Sequence, residues 1–177
     1  MKSFKHILHE AINVTDNTNF WKWFGKSEVV DRHSNPLVVY HGTDANIIAF
    51  NPHHPPVNDD GYMGRGCYFI SYITDASGYA DMAADYNEDW GDGRGNPTVY
   101  PVYLSVQNPY NLKTMNNSGS YGMERDKVEA WTDELIAQGY DGSTNGAGEW
   151  CVFHATQIKS AIGNNGDFNP NNPDITK

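Results

Sequence analysis

Three places in this chain set chemically useful residues against surroundings that do not call for them. His41 ends the apolar run Leu37-Val38-Val39-Tyr40 and is followed by Gly42, which exposes its own backbone. Tyr68 and Tyr79 stand eleven residues apart in the stretch GYMGRGCYFISYITDASGY, residues 61–79. Glu149 is the only acidic residue of Glu149-Trp150-Cys151-Val152-Phe153. A carboxylate beside so much apolar surface carries a desolvation cost unless something binds it. Two phenol rings on a strand–loop–helix have room between them for a flat aromatic ligand. Each place also has a plainer reading. The histidine can be a hydrogen-bonded turn residue, the tyrosines core packing, and the glutamate a half-wetted strand start.

The elements that must hold these residues are legible in outline. Gly61, Gly64 and Gly66 break the chain into a turn that feeds the strand Cys67-Tyr68-Phe69-Ile70. Thr74 or Asp75 is placed to cap a helix over Thr74–Tyr86, because their oxygens can accept the free amides of its first turn. Leu37–Tyr40 reads as a strand running into His41-Gly42-Thr43. Val99–Val106 alternates, with its apolar side on the even positions, and Pro101 points to a strand near an edge or with an irregular start. Met123–Gln138 places Val128, Trp131, Leu135 and Ile136 on one helical face, stopped by Gly139. Gly148–Phe153 and Gln157–Ile162 read as further strands. Before all of these, Phe4, Ile7, Leu8 and Ile12 give residues 3–13 a helical period. A second short helix, Asn19–Phe24, has caps available at Thr15-Asp16-Asn17 and ends at Gly25. Its Trp21, Trp23 and Phe24 read as a plug docking the N-terminal segment, with a partner surface as the alternative. Uneven helices between short strands give an α+β class. We expect one domain over residues 1–177, a helical segment 1–36 packed on a core of residues 37–177.

Composition narrows the function. The chain has 177 residues, 38% of them apolar and 13% aromatic, enough to bury a core without metals or disulfides. Its net charge of −10 repels phosphate backbones and anionic bilayers, which argues against broad nucleic-acid or membrane binding. Cys67 and Cys151 sit in apolar runs without metal-ligand spacing and read as small buried hydrophobes of a reducing compartment. The opening residues lack a signal-peptide core, and no run approaches membrane-spanning length, so a cytoplasmic location is expected. His53-His54 has no accompanying ligand set. Asp85-x-Asn87-x-Asp89 starts like a calcium loop but has Trp90 where glycine is needed and Asn96 where glutamate is needed, so no metal is expected. GYMGRG and GSTNGAG do not sit between a strand and a helix in the dinucleotide-binding manner, and no P-loop, nucleophile elbow, zinc-protease helix or deaminase signature is present.

Taken in order, His41-Gly42-Thr43, then Gly64-x-Gly66-x-Tyr68-Phe69, then Tyr79, then Glu149-Trp150-x-Val152-Phe153 resemble the H-Y-E branch of ADP-ribosyltransferases. That branch is shared by poly(ADP-ribose) polymerases and diphtheria-type toxins. The stretches NFWKWFGKSEVVD, PLVVYHGT and QIKSAIGNNGDFNPNNPDI further resemble phage-associated ADP-ribosyltransferase domains of polyvalent proteins, so the resemblance spans roughly residues 17–175.

The resemblance implies two small, roughly perpendicular sheets flanking a cleft for NAD, used as a substrate. It implies that His41 bonds a ribose hydroxyl, that the Gly42 backbone pairs with the carboxamide, and that Tyr68 and Tyr79 sandwich the nicotinamide ring. Thr43 is a further NAD-binding position, and Glu149 holds the 2′-hydroxyl of the nicotinamide ribose and stabilises the positive charge growing on the sugar as nicotinamide leaves. A carboxylate about 4 Å from that charge, at an effective dielectric near 20, contributes up to about 4 kcal/mol, roughly a thousandfold in rate. Arg65, in the turn before Tyr68, is a candidate for the NAD phosphates, its alternative being an exposed turn arginine. Two positions depart from the pattern. Ala76 stands where polymerase relatives have a serine for the nicotinamide amide, which leaves Ser77 as a substitute. Ala147 replaces the Glu or Gln of the arginine-modifying branch. The expected activity is transfer of a single ADP-ribose to a macromolecular acceptor, a host protein of a phage-infected bacterium, in preference to nucleic acid. The alternatives are an NAD glycohydrolase and a non-catalytic NAD- or partner-binding module of a phage structural protein.

Overall fold

A computed structural model describes residues 12–54, 61–91 and 95–177, Trp90 by its backbone alone. The helix expected over residues 3–13 lies outside them but for its end. Asn17 caps the first described helix, α1 (Thr18–Phe24), by accepting the Phe20 amide at 2.9 Å, and Gly25 ends it at φ 60°. This one-sided aromatic helix buries Phe20, Trp23 and Phe24 against Tyr103 and Phe168. Trp23 also donates its indole N–H to the Thr156 carbonyl, at 3.0 Å.

Seven strands follow: β1 (Val39–Thr43), β2 (Cys67–Ile70), β3 (Thr98–Leu104), β4 (Pro109–Asn111), β5 (Gly142–Thr144), β6 (Glu149–Val152) and β7 (Ile158–Ser160). They bond in the order β4-β5-β6-β2-β1-β3-β7, antiparallel throughout except for the parallel pair β4–β5. The resemblance implies two sheets, whereas the ladder forms one order of seven. Its middle joint is thin, because β1 and β2 share a single register pair, Tyr40 opposite Ile70. Beyond that pair the two strands cease to be register partners. The gap they leave lies at the heart of the site.

The strand expected over Leu37–Tyr40 runs later, Val39–Thr43, so His41, Gly42 and Thr43 belong to the sheet instead of following it. Their pairing with Tyr100, Val99 and Thr98 of β3 carries the strand onward. Pro101 pairs with Tyr40 and lies just past the β7 register, in the strand next to the edge strand, as the proline predicts. Its carbonyl accepts the Ala161 amide, and the Ala161 carbonyl that Pro101 cannot serve accepts from Ile12 instead, at 2.7 Å. The even positions of β3, Val102 and Leu104, join the core with Val39, Phe69 and Val152, while Tyr103 on the other side packs on α1.

Helix α2 spans Ile73–Trp90, starting before the expected Thr74 or Asp75 cap; Tyr72 holds the cap position and no side chain accepts there. Helix α3 (Arg125–Ala137) buries Val128 and Leu135, with Trp131 and Ile136 partly buried beside them. Gly139, at φ 91°, terminates it, and the Tyr140 amide reaches back to the Leu135 carbonyl. Cys67 and Cys151 are free and buried, and burial pushes the Cys67 thiol up to about 12. The C-terminal tail is tied down by Lys159, whose buried ammonium donates to the carbonyls of Asn172 and Asp174; burial lowers its pKa to about 8. Among the described residues no helix is long and apolar enough to cross a membrane.

Candidate active site

The thin joint between β1 and β2 opens a cleft of about 390 Å³. His41, Gly42 and Thr43 of β1, Tyr68 of β2, Tyr79 of α2 and Glu149 of β6 all line it. The structure therefore brings together six residues that are spread over more than a hundred positions of sequence. Its walls are mostly apolar, with Phe50, Phe69 and Ile70 among them.

His41 bridges the gap where the strands part. Its Nδ1 lies 2.8 Å from the Tyr68 carbonyl oxygen, an acceptor only, so Nδ1 carries the proton and donates. The ring is gripped edge-on by Phe50, centroids 5.1 Å apart, and leans on Phe69. Burial lowers the His41 pKa below its ordinary value, against the opposing pull of the Tyr68 carbonyl. The imidazole is thus neutral at pH 7, with Nε2 left as an acceptor for a hydroxyl.

Gly42 is glycine because α2 lies directly on it. A Cβ there would overlap the Ala76 carbonyl oxygen and stand 2.8 Å from the Ala80 amide nitrogen. Ala76, fully buried at this crossing, has no room to be a larger residue without moving the helix. Ser77, the expected substitute, does not line the cleft, and its hydroxyl donates to the Ile73 carbonyl one turn back.

Tyr68 is fixed by its hydroxyl, which donates to the Gly64 carbonyl at 2.7 Å and accepts the Met63 amide at 3.0 Å. The glycine turn before β2 is thereby tied to the strand it feeds. Arg65 of that turn does not line the cleft. It ion-pairs with Asp133 of α3 at 2.7 Å and, with Arg125, Val128 and Glu129, lines an adjoining cavity of about 150 Å³ that shares His54, Gly66 and Tyr68 with the cleft. Its side chain is only 11% exposed, so it is not the solvated turn arginine of the alternative reading.

Glu149 begins β6 opposite Ile70. Its Oε2 accepts from the Tyr62 hydroxyl and from Asn145 Nδ2, the latter at 2.6 Å. Sequence reasoning singled out neither Tyr62 nor Asn145. Both sit in glycine-rich turns weighed there only as failed dinucleotide motifs, and the signal was a polar residue flanked by glycines on each turn. Asp44 and Asn87 were also passed over as site residues. They line the cleft and bond each other at 2.5 Å, so Asn87 belongs to this wall and not to a calcium loop. Among the described residues no group of three or more His, Cys, Asp or Glu side chains is arranged to hold a metal.

Residues 31–168 match the family model of the ADP-ribosyltransferase in polyvalent proteins, well over half of the chain and every lining residue of the cleft. The chain belongs to this family. No curated protein and no solved structure gives a match. As an ADP-ribosyltransferase domain, the chain has a mixed α/β architecture of one seven-stranded sheet and three described helices. The ADP-ribosyltransferase motifs recognised in the sequence fall on the strands β1, β2 and β6 and on α2, around one opening.

Proposed function

We propose that this chain takes NAD as its substrate and transfers one ADP-ribose unit to a macromolecular acceptor, a host protein in the cytoplasm of a phage-infected bacterium. The observation that carries the reading is the convergence of His41, Gly42, Thr43, Tyr68, Tyr79 and Glu149 on one mostly apolar cleft.

Each residue has a task suited to its surroundings. His41 Nε2 accepts a ribose hydroxyl, its tautomer held by the Tyr68 carbonyl. Tyr68 and Tyr79 offer apolar ring faces to the nicotinamide, and the Gly42 backbone offers edge contacts without a side chain in the way. Glu149 places a negative charge against the ribose. As the C1′–N bond breaks, its electron pair leaves with neutral nicotinamide and the sugar becomes cationic, and the carboxylate attracts that charge most strongly at this moment. A nucleophilic atom of the acceptor then bonds C1′ and gives up its proton. Transfer of single units fits a chain of net charge −10, which repels a growing polyphosphate. Ala147, two residues before Glu149, offers no side-chain acceptor for a guanidinium, which disfavours arginine as the target.

The test incubates the protein and its Glu149→Gln variant with labelled NAD in a lysate of the bacterial host, following nicotinamide release and label together. The expected outcome is label on a discrete protein band, with both signals reduced about a thousandfold in the variant. Release of nicotinamide without label would replace the transferase by a glycohydrolase. Binding of NAD with neither signal would reduce the chain to a binding module.

A further inference from the structure

Glu149 is held more completely than a residue that only lines a cleft needs to be. Its Oε2 takes two hydrogen bonds, from Tyr62 and Asn145, and Asn145 Nδ2 also lies 3.1 Å from the Tyr62 hydroxyl. The orientation of the Asn145 amide is not arbitrary. Its Oδ1 accepts the backbone amides of Ala147 at 2.8 Å and Glu149 at 3.1 Å, so Nδ2 must face the carboxylate. Among the described residues Oε1 receives no hydrogen bond.

Both donors rest on turns that are themselves pinned. In the turn carrying Tyr62, four successive carbonyls are engaged: Gly61 by Ser120 Oγ, Tyr62 by the Ser120 amide, Met63 by Ser143 Oγ and Gly64 by the Tyr68 hydroxyl. In the turn carrying Asn145, the Thr144 hydroxyl donates to the Glu149 carbonyl at 2.7 Å and accepts the Gly146 amide. Gly148, at φ 103°, then fastens the start of β6 to Ser71 through its carbonyl.

We propose that Tyr62 and Asn145 are positioning residues that clamp Oε2 of Glu149 and leave Oε1 to act on the substrate. The inference rests on the NAD-dependent reading above. A carboxylate fixed in advance of the reaction need not reorganise when charge develops on the sugar, and a small misplacement of such a group costs rate and not affinity.

Two variants test the clamp by steady-state nicotinamide release from NAD. Tyr62→Phe removes one hydroxyl and keeps the ring. Asn145→Asp keeps the oxygen that the two backbone amides need and replaces the donor with a like charge. Both are expected to lower kcat roughly ten- to a hundredfold, with KM for NAD within about twofold and a melting temperature near that of the wild type. A purely structural role would lower the melting temperature and leave kcat of the folded fraction unchanged, which would overturn the clamp. A rise in KM at constant kcat would overturn it too. Should Asn145→Asp fail to fold, Tyr62→Phe alone decides. Wild-type protein that releases no nicotinamide overturns the NAD-dependent reading and the clamp together, whereas active wild type with both variants at full kcat overturns the clamp alone.

Discussion

His41 divides its work between two ring nitrogens. Nδ1 donates to the Tyr68 carbonyl and holds the strands together where their pairing lapses; in the proposed reaction Nε2 accepts from the substrate. Burial keeps the ring neutral by lowering its pKa, and the sign of the pH dependence follows. Above about pH 6.5 the ring is neutral both folded and unfolded. Below it the unfolded chain takes up the proton first, so stability falls as pH drops through the lowered folded value. The protonated ring also loses its acceptor. NAD affinity should therefore stay level from about pH 8 to 6.5 and decline only below that ordinary histidine range, as followed by calorimetric titration. A decline centred above pH 6.5 would contradict a buried neutral imidazole.

At the scale of elements, the contact between α2 and β1 sets the width of the cleft. The helix backbone at Ala76 and Ala80 lies against Gly42, and that closeness brings Tyr79 to the same opening as His41. Gly42→Ala is expected to cost about 3 kcal/mol or more, because backbone and not a flexible side chain stands in the way. Gly78→Ala in the same helix is the matched control. A Cβ there meets nothing within 4 Å, and the change should stabilise by up to about 1 kcal/mol through helix propensity. Urea midpoints of the two variants moving in opposite directions would confirm that the helix–strand approach, and not glycine flexibility, is what the sequence protects. The same crossing explains why position 76 is alanine.

For the molecule as a whole, the aromatic helix α1 and the C-terminal tail brace the sheet from the side away from the cleft. Phe20, wholly buried, meets Tyr103 and Phe168 edge-to-face with centroids 5.0 Å apart in both cases. Phe20→Ala should lower unfolding free energy by about 3–5 kcal/mol, since the cavity it leaves is walled by rigid rings. KM for NAD should not change in the fraction that remains folded, because none of these residues lines the cleft. Denaturant unfolding alongside steady-state kinetics checks both halves of that expectation. The tail also reaches the core behind the cleft, where buried Ile175 clusters with Phe50 and Phe69 and its amide bonds the Ile48 carbonyl.

How much of this was legible beforehand depends on what fixed each residue. His41, Tyr68, Tyr79 and Glu149 could be picked out from sequence by type and order, and the structure brings all four to one cleft. Helix α3 was legible from its period and α1 from its cap and its closing glycine, whereas α2 was expected from a Thr74 or Asp75 cap that it does not use. β4 and β5 escaped, since three residues are too few to show an alternation. Pro101 marked a strand near the sheet edge, but not that Ile12, some ninety residues away, gives the Ala161 carbonyl the donor that proline lacks. Arg65 was drawn to Asp133 of α3, and Ser77 to its own helix, by partners that spacing along the chain does not reveal. By itself the sequence determined which chemistry the chain can carry. Only the tertiary structure decided which nitrogen of His41 and which oxygen of Glu149 are left to perform it, because hydrogen bonds are directional and their partners arrive on separate turns.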